Sequence, residues 1–295
     1  MDNILVVGLA VVDFLFELES MPRQAQKYVA RSARPVGGGG AANAAVAIAR
    51  LGGHARLAAR VGDDVMGEMV LSQLRSASVD CSLVQQSTDA SSSFSSVLVD
   101  ASGERQIVNY RGNNLSDDAS FINNLTVDCV LADTRWQAGT VAAMQLARRL
   151  GVPAVLDGEA PVALETMQYA SHIAFSMQGL TDLTGESDVQ RALRAVADQS
   201  NAWLCVTDGE NGVTVFSEDK LVTVAAPEVN VVDTLGAGDV WHGAFALQLA
   251  QGLDELQAIE FANAAASLKC TRRGGGRAGP DLAEVNAFIN RLAVQ

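Results

Sequence analysis

Short runs of consecutive apolar residues recur along the chain, the pattern of strands covered on both faces in a parallel sheet. They occupy Asn3 to Leu9, His54 to Val61, Val127 to Asp133, Ala154 to Asp157, His172 to Phe175 and Trp203 to Thr207. Between them the apolar positions shift to helical spacing: Ala41 to Leu51, alanine-rich and stopped by Gly52 and Gly53, then Asp64 to Ser76, Thr140 to Leu150 and Val189 to Gln199. This rhythm predicts an α/β domain built on a doubly wound, mostly parallel sheet flanked by helices.

Two stretches depart from it. Phe94 to Asp100 and Gln106 to Tyr110 alternate with period two around the turn signal ASGE and predict a hairpin. Phe14 to Arg34 is mixed, with alternating pieces such as Lys27-Tyr28-Val29-Ala30, and reads as β structure. Segments at about 14–36 and 92–112 therefore predict a small sheet outside the main one, placed to act as a lid. A second hairpin, Gly212 to Phe216 with Leu221 to Ala225, precedes three helical segments: Val240 to Gln251, Asp254 to Lys269 and Asp281 to Leu292. No repeat, low-complexity tail or flexible linker interrupts the pattern, so residues 1–295 read as one domain.

Composition narrows the classes of function. With 48% hydrophobic and 19% charged residues the chain is an ordinary globular one. A formal net charge of −13, with no basic stretch to offset it, argues against nucleic acid or a membrane surface as partner and requires any anionic ligand to find a local cluster of cations. The start, Met1-Asp2-Asn3, lacks the basic region of a signal peptide, and the apolar run from Ile4 ends at Asp13, so a cytoplasmic protein is expected. Cys81, Cys129, Cys205 and Cys270 are far apart with no histidine at ligand spacing, which predicts neither disulfides nor a zinc site.

Candidate chemistry gathers at strand ends and glycine-rich turns. DTLGAGD, Asp233 to Asp239, lies between the β-branched run Val229 to Val232 and a long helical pattern. Its two glycines and its acid at a helix start either let backbone amides approach an anion or form a tight turn with Asp239 as N-cap. Asp13 follows the first strand and either accepts hydrogen bonds from ligand hydroxyls or closes a turn. VGGGG, Val36 to Gly40, runs into the alanine-rich helix with Asn43 in its first turn, bringing backbone close to a ligand or to a packed strand. Arg135 and Trp136 stand after the strand VLADT, and Gly209 and Gly212 after another strand end.

Together these stretches resemble the ribokinase (PfkB-type) carbohydrate kinase family. DTLGAGD is similar to its C-terminal signature and GGGAAN with AAVAIARLGG to its N-terminal one, while VGDDVMG and TDGENG match in order and spacing, so the resemblance covers essentially the whole chain. It implies a ribokinase-like fold with a small β lid and transfer of the γ-phosphoryl group of ATP to a sugar hydroxyl. Asp239 is implied as general base, with Gly236, Ala237 and Gly238 supplying amides to the transferring group; such chemistry rests on positioning and charge stabilisation. Asp13, Gly38, Gly39 and Asn43 are implied to contact the sugar. Thr207 and Gly209 are implied to line the nucleotide side, with Asn263 beside the adenine, although as a residue Asn263 reads equally as a solvated helix position. The family often carries Asn-x-x-Glu to organise magnesium; here those positions are Ser176, Met177, Gln178 and Gly179, so Mg2+ is expected chiefly on ATP phosphates and water, with its protein ligands unassigned. A monovalent cation near Asp233 and Gly274 to Gly276, and a homodimer formed through the lid, are further implications.

Within the family, QKYVAR, VLADTRW, AFSMQGLTDLTG and LKCTRRGGGRAG resemble the 6-deoxy-6-sulfofructose kinase branch. That implies 6-deoxy-6-sulfofructose as acceptor, phosphorylated at its 1-hydroxyl, with Lys27, Asn109 and Arg135 holding the sulfonate. A sulfonate stays charged at neutral pH and needs fixed donors. As residues alone, Lys27 also reads as an exposed edge-strand lysine and Arg135 as a cation stacked on Trp136. Fructokinase, ribokinase and tagatose-6-phosphate kinase are the alternatives in the same class, and a non-catalytic sugar or nucleotide sensor the alternative outside it. His242, three residues beyond Asp239 on the same helix, reads either as a neighbour of the site or, the expected reading, as a packing or surface residue.

Overall fold

A computed structural model describes residues 2–217 and 220–293. The strands are β1 (Asn3–Val7), β2 (Val11–Glu17), β3 (Ser32–Gly38), β4 (His54–Ala58), β5 (Arg60–Gly62), β6 (Gln85–Ser87), β7 (Phe94–Val99), β8 (Arg105–Tyr110), β9 (Cys129–Ala132), β10 (Ala154–Asp157), β11 (His172–Ser176), β12 (Trp203–Thr207), β13 (Val213–Ser217) and β14 (Lys220–Val224). The helices are α1 (Gly40–Arg50), α2 (Val65–Ser76), α3 (Gln137–Leu150), α4 (Leu164–Tyr169), α5 (Met177–Thr184), α6 (Val189–Ala197), α7 (Ala237–Ala250), α8 (Glu255–Cys270) and α9 (Leu282–Leu292).

Eight strands form the main sheet in the order β14-β13-β12-β11-β10-β9-β1-β4. Six are parallel, and β13 and β14 add an antiparallel edge. The chain leaves β1 toward β4 on one side and returns to β9 on the other, so the strand order reverses between β1 and β9. Ligands of open α/β sheets bind beyond the carboxyl ends of strands at such a reversal. Gly8 and Leu9 on one side and Asp133 to Arg135 on the other border it here.

The alanines of α1 let it pack closely between the sheet and α7, with Ala41 through Ile48 all buried. α7 is apolar all round for the same reason: the rings of Trp241 and Phe245 stack at 4.9 Å, and Phe245 continues onto Trp203 at 5.7 Å. Asp64, Asp254 and Asp281 cap their helices with the next-turn amides, the last two in full capping boxes.

A second sheet of four strands, in the order β3-β2-β7-β8, stands apart from the first. Its hairpin β7–β8 is antiparallel as the alternation predicts, and its register aligns Asp13, Ser95 and Asn109 across three strands. Two expectations need correction. The run His54 to Val61 divides into β4 and β5, and β5 pairs instead with β6. Residues 18–31 are irregular, so Lys27-Tyr28-Val29-Ala30 is not a strand: it has no partner strand, and Val29 is 82% exposed. Among the described residues no helix is long and apolar enough to cross a membrane.

Candidate active site

The turn before α7 is built around Gly236, which caps the helix at φ 76°. A side chain there is excluded twice, by the left-handed backbone and by Gly276, whose nitrogen would lie 2.5 Å from a Cβ. Asp239 falls in the first turn of α7, past the cap itself. The N–H of Ala237 closes the turn onto the Thr234 carbonyl at 3.1 Å, which leaves the amides of Gly236 and Gly238 to an anion at the positive end of the helix.

Asn43 Nδ2 donates to Asp239 Oδ2 at 2.7 Å, joining the first turns of α1 and α7. Two further carboxylates reach the same spot: a Cβ on Gly40 would lie 3.6 Å from Asp133 Oδ2, Asp157 Oδ2 and Asp239 Oδ1 alike. Burial pushes Asp239 up to about 7, reinforced by the negative charges of Asp157 and Asp133 and opposed by the Asn43 bond and His242. A carboxyl poised there suits a general base working near neutral pH. Burial also raises Asp133 to about 6 although it accepts from the amides of Leu9, Ala41 and Arg135, which fix the turn after β1 and the start of α1. Asp157 is raised by burial too. His242 is buried and close to the site: Nδ1 lies 2.8 Å from the Gly238 carbonyl, and Nε2 lies 3.3 Å from the Ala174 carbonyl and 3.7 Å from Asp157. Asp133 and Asp157 carry no sequence signal, since a strand-end acid looks ordinary until the strands are ordered, and His242, expected in packing or at the surface, instead lies buried beside the site.

Asp13 faces this cleft from the small sheet. Gly38 opposite must lack a side chain, because a Cβ would lie 2.1 Å from the Asp13 carboxyl, and Gly39 follows as the N-cap of α1. Burial raises the Asp13 carboxyl, countered by its hydrogen bond with Ser95. Ser95 in turn accepts from Asn109 Nδ2 at 3.1 Å.

Beyond Gly8 and Leu9 opens a cleft of about 410 Å³ lined by Arg60, Arg111, Arg135, Asn109, Ser93, Trp136 and Glu159, among others. Three arginines line it against Glu159, and although Arg60 is also paired outside it with Asp117 at 2.5 Å, the lining carries more positive than negative charge in a protein of net charge −13. Arg135 pairs with Glu159 at 2.6 Å. The cation over Trp136 is Arg60, 5.1 Å from the ring centre, rather than the adjacent Arg135. The Trp136 indole nitrogen is buried and has no hydrogen-bond partner among the described residues. Lys27 lies on the exposed loop between β2 and β3 and is not among the lining residues.

A second cleft, about 600 Å³, lies on the other side of the α7 N-terminus and is lined by Thr207, Gly209, Ala226, Pro227, Gly238, Trp241 and Asn263, among others. Asn263 is 4% exposed, not solvated. Its Oδ1 accepts from Trp241 Nε1 at 2.9 Å, and its Nδ2 donates to the carbonyls of Val224 and Ala225 at 3.2 Å each.

At the positions of the magnesium motif, Ser176 caps α5 by accepting from Gly179 N at 2.9 Å, and Gln178 donates to Asp182 at 2.6 Å. Among the described residues no group of three or more His, Cys, Asp or Glu is arranged to hold a metal. The place implied for a monovalent cation does not fit one either: the ammonium of Lys269 lies 2.6 Å from the Asp233 carbonyl and 3.6 Å from its carboxylate.

The profile of the pfkB family carbohydrate kinases matches residues 1–282. The ribokinase of Bacillus subtilis (strain 168) is 31% identical over 300 residues, covering 98% of this chain and 100% of that protein. The deoxyribokinase of Salmonella typhi is 26% identical over 98% of this chain and 99% of its own. Among solved structures, a chain from Agrobacterium tumefaciens superposes with a TM-score of 0.91 at 33% identity, covering 100% of this chain and 99% of that one. The ribokinase of Arabidopsis thaliana, complexed with ribose and ATP, gives 0.86 at 25% identity over 98% of each chain. The chain belongs to the pfkB family of carbohydrate kinases.

Proposed function

We propose that this kinase transfers the γ-phosphoryl group of ATP to the 1-hydroxyl of 6-deoxy-6-sulfofructose, giving the 1-phosphate. The observation that carries the reading is the arginine cleft: Arg60, Arg111 and Arg135, with Asn109 and an unpartnered Trp136 N–H, beside the Asp239 cluster. A sulfonate bound there meets charge-assisted donors. The sugar then spans from this cleft past Asp13, Gly39 and Asn43, with its 1-hydroxyl toward Asp239.

Asp239 takes the hydroxyl proton as the sugar oxygen forms its bond to phosphorus and the bond to the ADP oxygen breaks. The amides of Gly236 and Gly238, at the head of α7, stabilise the charge on the moving phosphoryl group. ATP occupies the cleft of Thr207, Gly209 and Asn263. Magnesium bound to the nucleotide's phosphates and water would supply charge neutralisation, since among the described residues no dedicated ligand set is found. The small sheet serves as lid. Its strand β8 carries Ile107, Val108 and Tyr110 at 57%, 63% and 42% exposure, an apolar edge suited to pairing with a second copy in a homodimer. The working compartment is the cytoplasm, which supplies ATP and keeps the buried thiols of Cys129 and Cys205 reduced.

Ribokinase, deoxyribokinase and fructokinase relatives favour a second reading, a neutral sugar as acceptor. A coupled assay of ADP release over ribose, fructose, fructose 6-phosphate, tagatose 6-phosphate and sulfofructose decides between them. The proposal expects sulfofructose to have the highest kcat/KM. A higher value for fructose or fructose 6-phosphate sinks it. Light scattering at several concentrations tests the dimer.

A further inference from the structure

Lys269 is the most costly residue to explain by packing alone. It sits in the last turn of α8 with 0% of its surface exposed, and taking an ammonium out of water costs several kcal/mol unless it is fully engaged. Its engagement is with the residue that opens the catalytic motif. The ammonium donates to the Asp233 carbonyl at 2.6 Å and lies 3.6 Å from the Asp233 carboxylate.

Asp233 ties its own loop to the end of α8, to the Gly274 turn and, through Arg105 at 3.2 Å from its carboxylate, to strand β8 of the small sheet. Its own N–H and that of Val232 donate to the Cys270 carbonyl, at 3.1 and 2.8 Å, on the same turn of α8 that carries Lys269. Its carboxylate accepts from Leu235 N at 2.9 Å and from Gly274 N at 3.2 Å. The Gly274–Gly276 turn then packs directly on Gly236, where no Cβ fits. A soluble monovalent ion at such a place would organise the loop by collecting carbonyl and carboxylate oxygens. Here the Lys269 ammonium holds the carbonyl, and the carboxylate stands between that ammonium and the Arg105 guanidinium, 3.2 Å from its other oxygen. A free cation would have to join the two fixed charges of Lys269 and Arg105 already on Asp233, and their repulsion disfavours it.

We propose that Lys269 is this kinase's built-in monovalent cation, a positioning residue that holds the Gly236 and Gly238 amides in register and makes turnover independent of potassium. The proposal rests on the phosphoryl-transfer reading of the loop and is indifferent to which sugar is the acceptor.

The test compares kcat in choline chloride, sodium chloride and potassium chloride at equal ionic strength, with the best acceptor and saturating ATP. Wild-type values should agree within about twofold, and the neutral variant Lys269→Met should lose about 10- to 100-fold in choline, part of it restored by potassium or ammonium. A lysine needed only for packing would not be replaced by a free ion. Activation of the wild type by potassium of about fivefold or more overturns the proposal. So does a folded Lys269→Met that turns over normally in choline, or one that no cation revives. Thermal melting identifies a variant that fails to fold, in which case the wild-type salt series alone decides. Absence of turnover in every salt would instead strike the phosphoryl-transfer reading.

Discussion

Replacing Asn43 by alanine isolates the hydrogen bond that tunes the base. Asn43 Nδ2 is 2.7 Å from Asp239 Oδ2, and Asn43 itself is only 8% exposed, so water replaces it poorly. The bond favours the ionised carboxylate against the forces that raise it, namely burial and the charges of Asp157 and Asp133. A hydrogen bond to a charged group contributes about 1.5 to 3 kcal/mol. At 1.36 kcal/mol per pH unit that is about one to two units. From a carboxyl raised to about 7 in the ligand-free enzyme, the acid limb of the kcat profile should therefore move up by roughly one to two pH units in Asn43→Ala relative to the wild type. kcat rather than kcat/KM is the quantity to follow, because Asn43 is also proposed to touch the sugar and its loss weakens binding separately. The assay is ADP release at saturating substrates across about pH 5.5 to 10. A limb that stays in place, or that moves to lower pH, refutes the assignment of Asp239 as the titrating base or of Asn43 as its stabilising partner.

Asp239→Asn should lower kcat by roughly 10² to 10⁴. The same variant carries a stability signature. Folded Asp239 holds its proton to higher pH than the unfolded chain does, so its contribution to stability is full below the unfolded value and is lost as pH rises to about 7; melting of Asp239→Asn should accordingly gain on the wild type between acid and neutral pH, and a parallel pair of melting curves would contradict the raised pKa. Arg135→Ala and Arg111→Ala should each cost about 10- to 100-fold in kcat/KM on a sulfonated sugar and little on fructose, and an equal loss on both would make the arginines structural. Gly236→Ala, forced into a left-handed backbone with its Cβ 2.5 Å from Gly276 N, should lose roughly 1 to 3 kcal/mol in denaturant unfolding and fall in kcat more than it rises in KM.

Local pattern carried the elements well because their signals are local. The alanines of α1 and the continuous apolar strands announce burial whatever surrounds them, and DTLGAGD announces a helix start. What failed depended on partners far along the chain. Lys27-Tyr28-Val29-Ala30 alternates like a strand but finds no strand to pair with. Trp136 takes its cation from Arg60, 76 positions earlier, not from the arginine beside it. Arg60 and Arg111 are unremarkable in sequence and become neighbours of Arg135 only once β1 separates β4 from β9. Asp157 and His242 likewise meet Asp239 through the strand order, which no helical or strand period encodes.

Several polar side chains along the cleft of Thr207 and Asn263 are already engaged within the protein. Thr207 bonds to the Phe175 carbonyl, Asn211 to Asp208, Ser267 to the Pro227 carbonyl, and Asn263 to Trp241 and the end of β14. If the proposed nucleotide cleft takes a purine, shape and apolar contact with Ala226, Pro227, Val229 and Ala266 hold it more than hydrogen bonds to its edge. Sites of that kind separate related ligands by about 10²-fold at most, whereas a dedicated hydrogen-bonding site reaches 10⁴ or more. GTP and ITP should therefore serve as phosphoryl donors within that modest margin, and a preference for ATP well above about 10²-fold in kcat/KM would refute a cleft that reads shape alone.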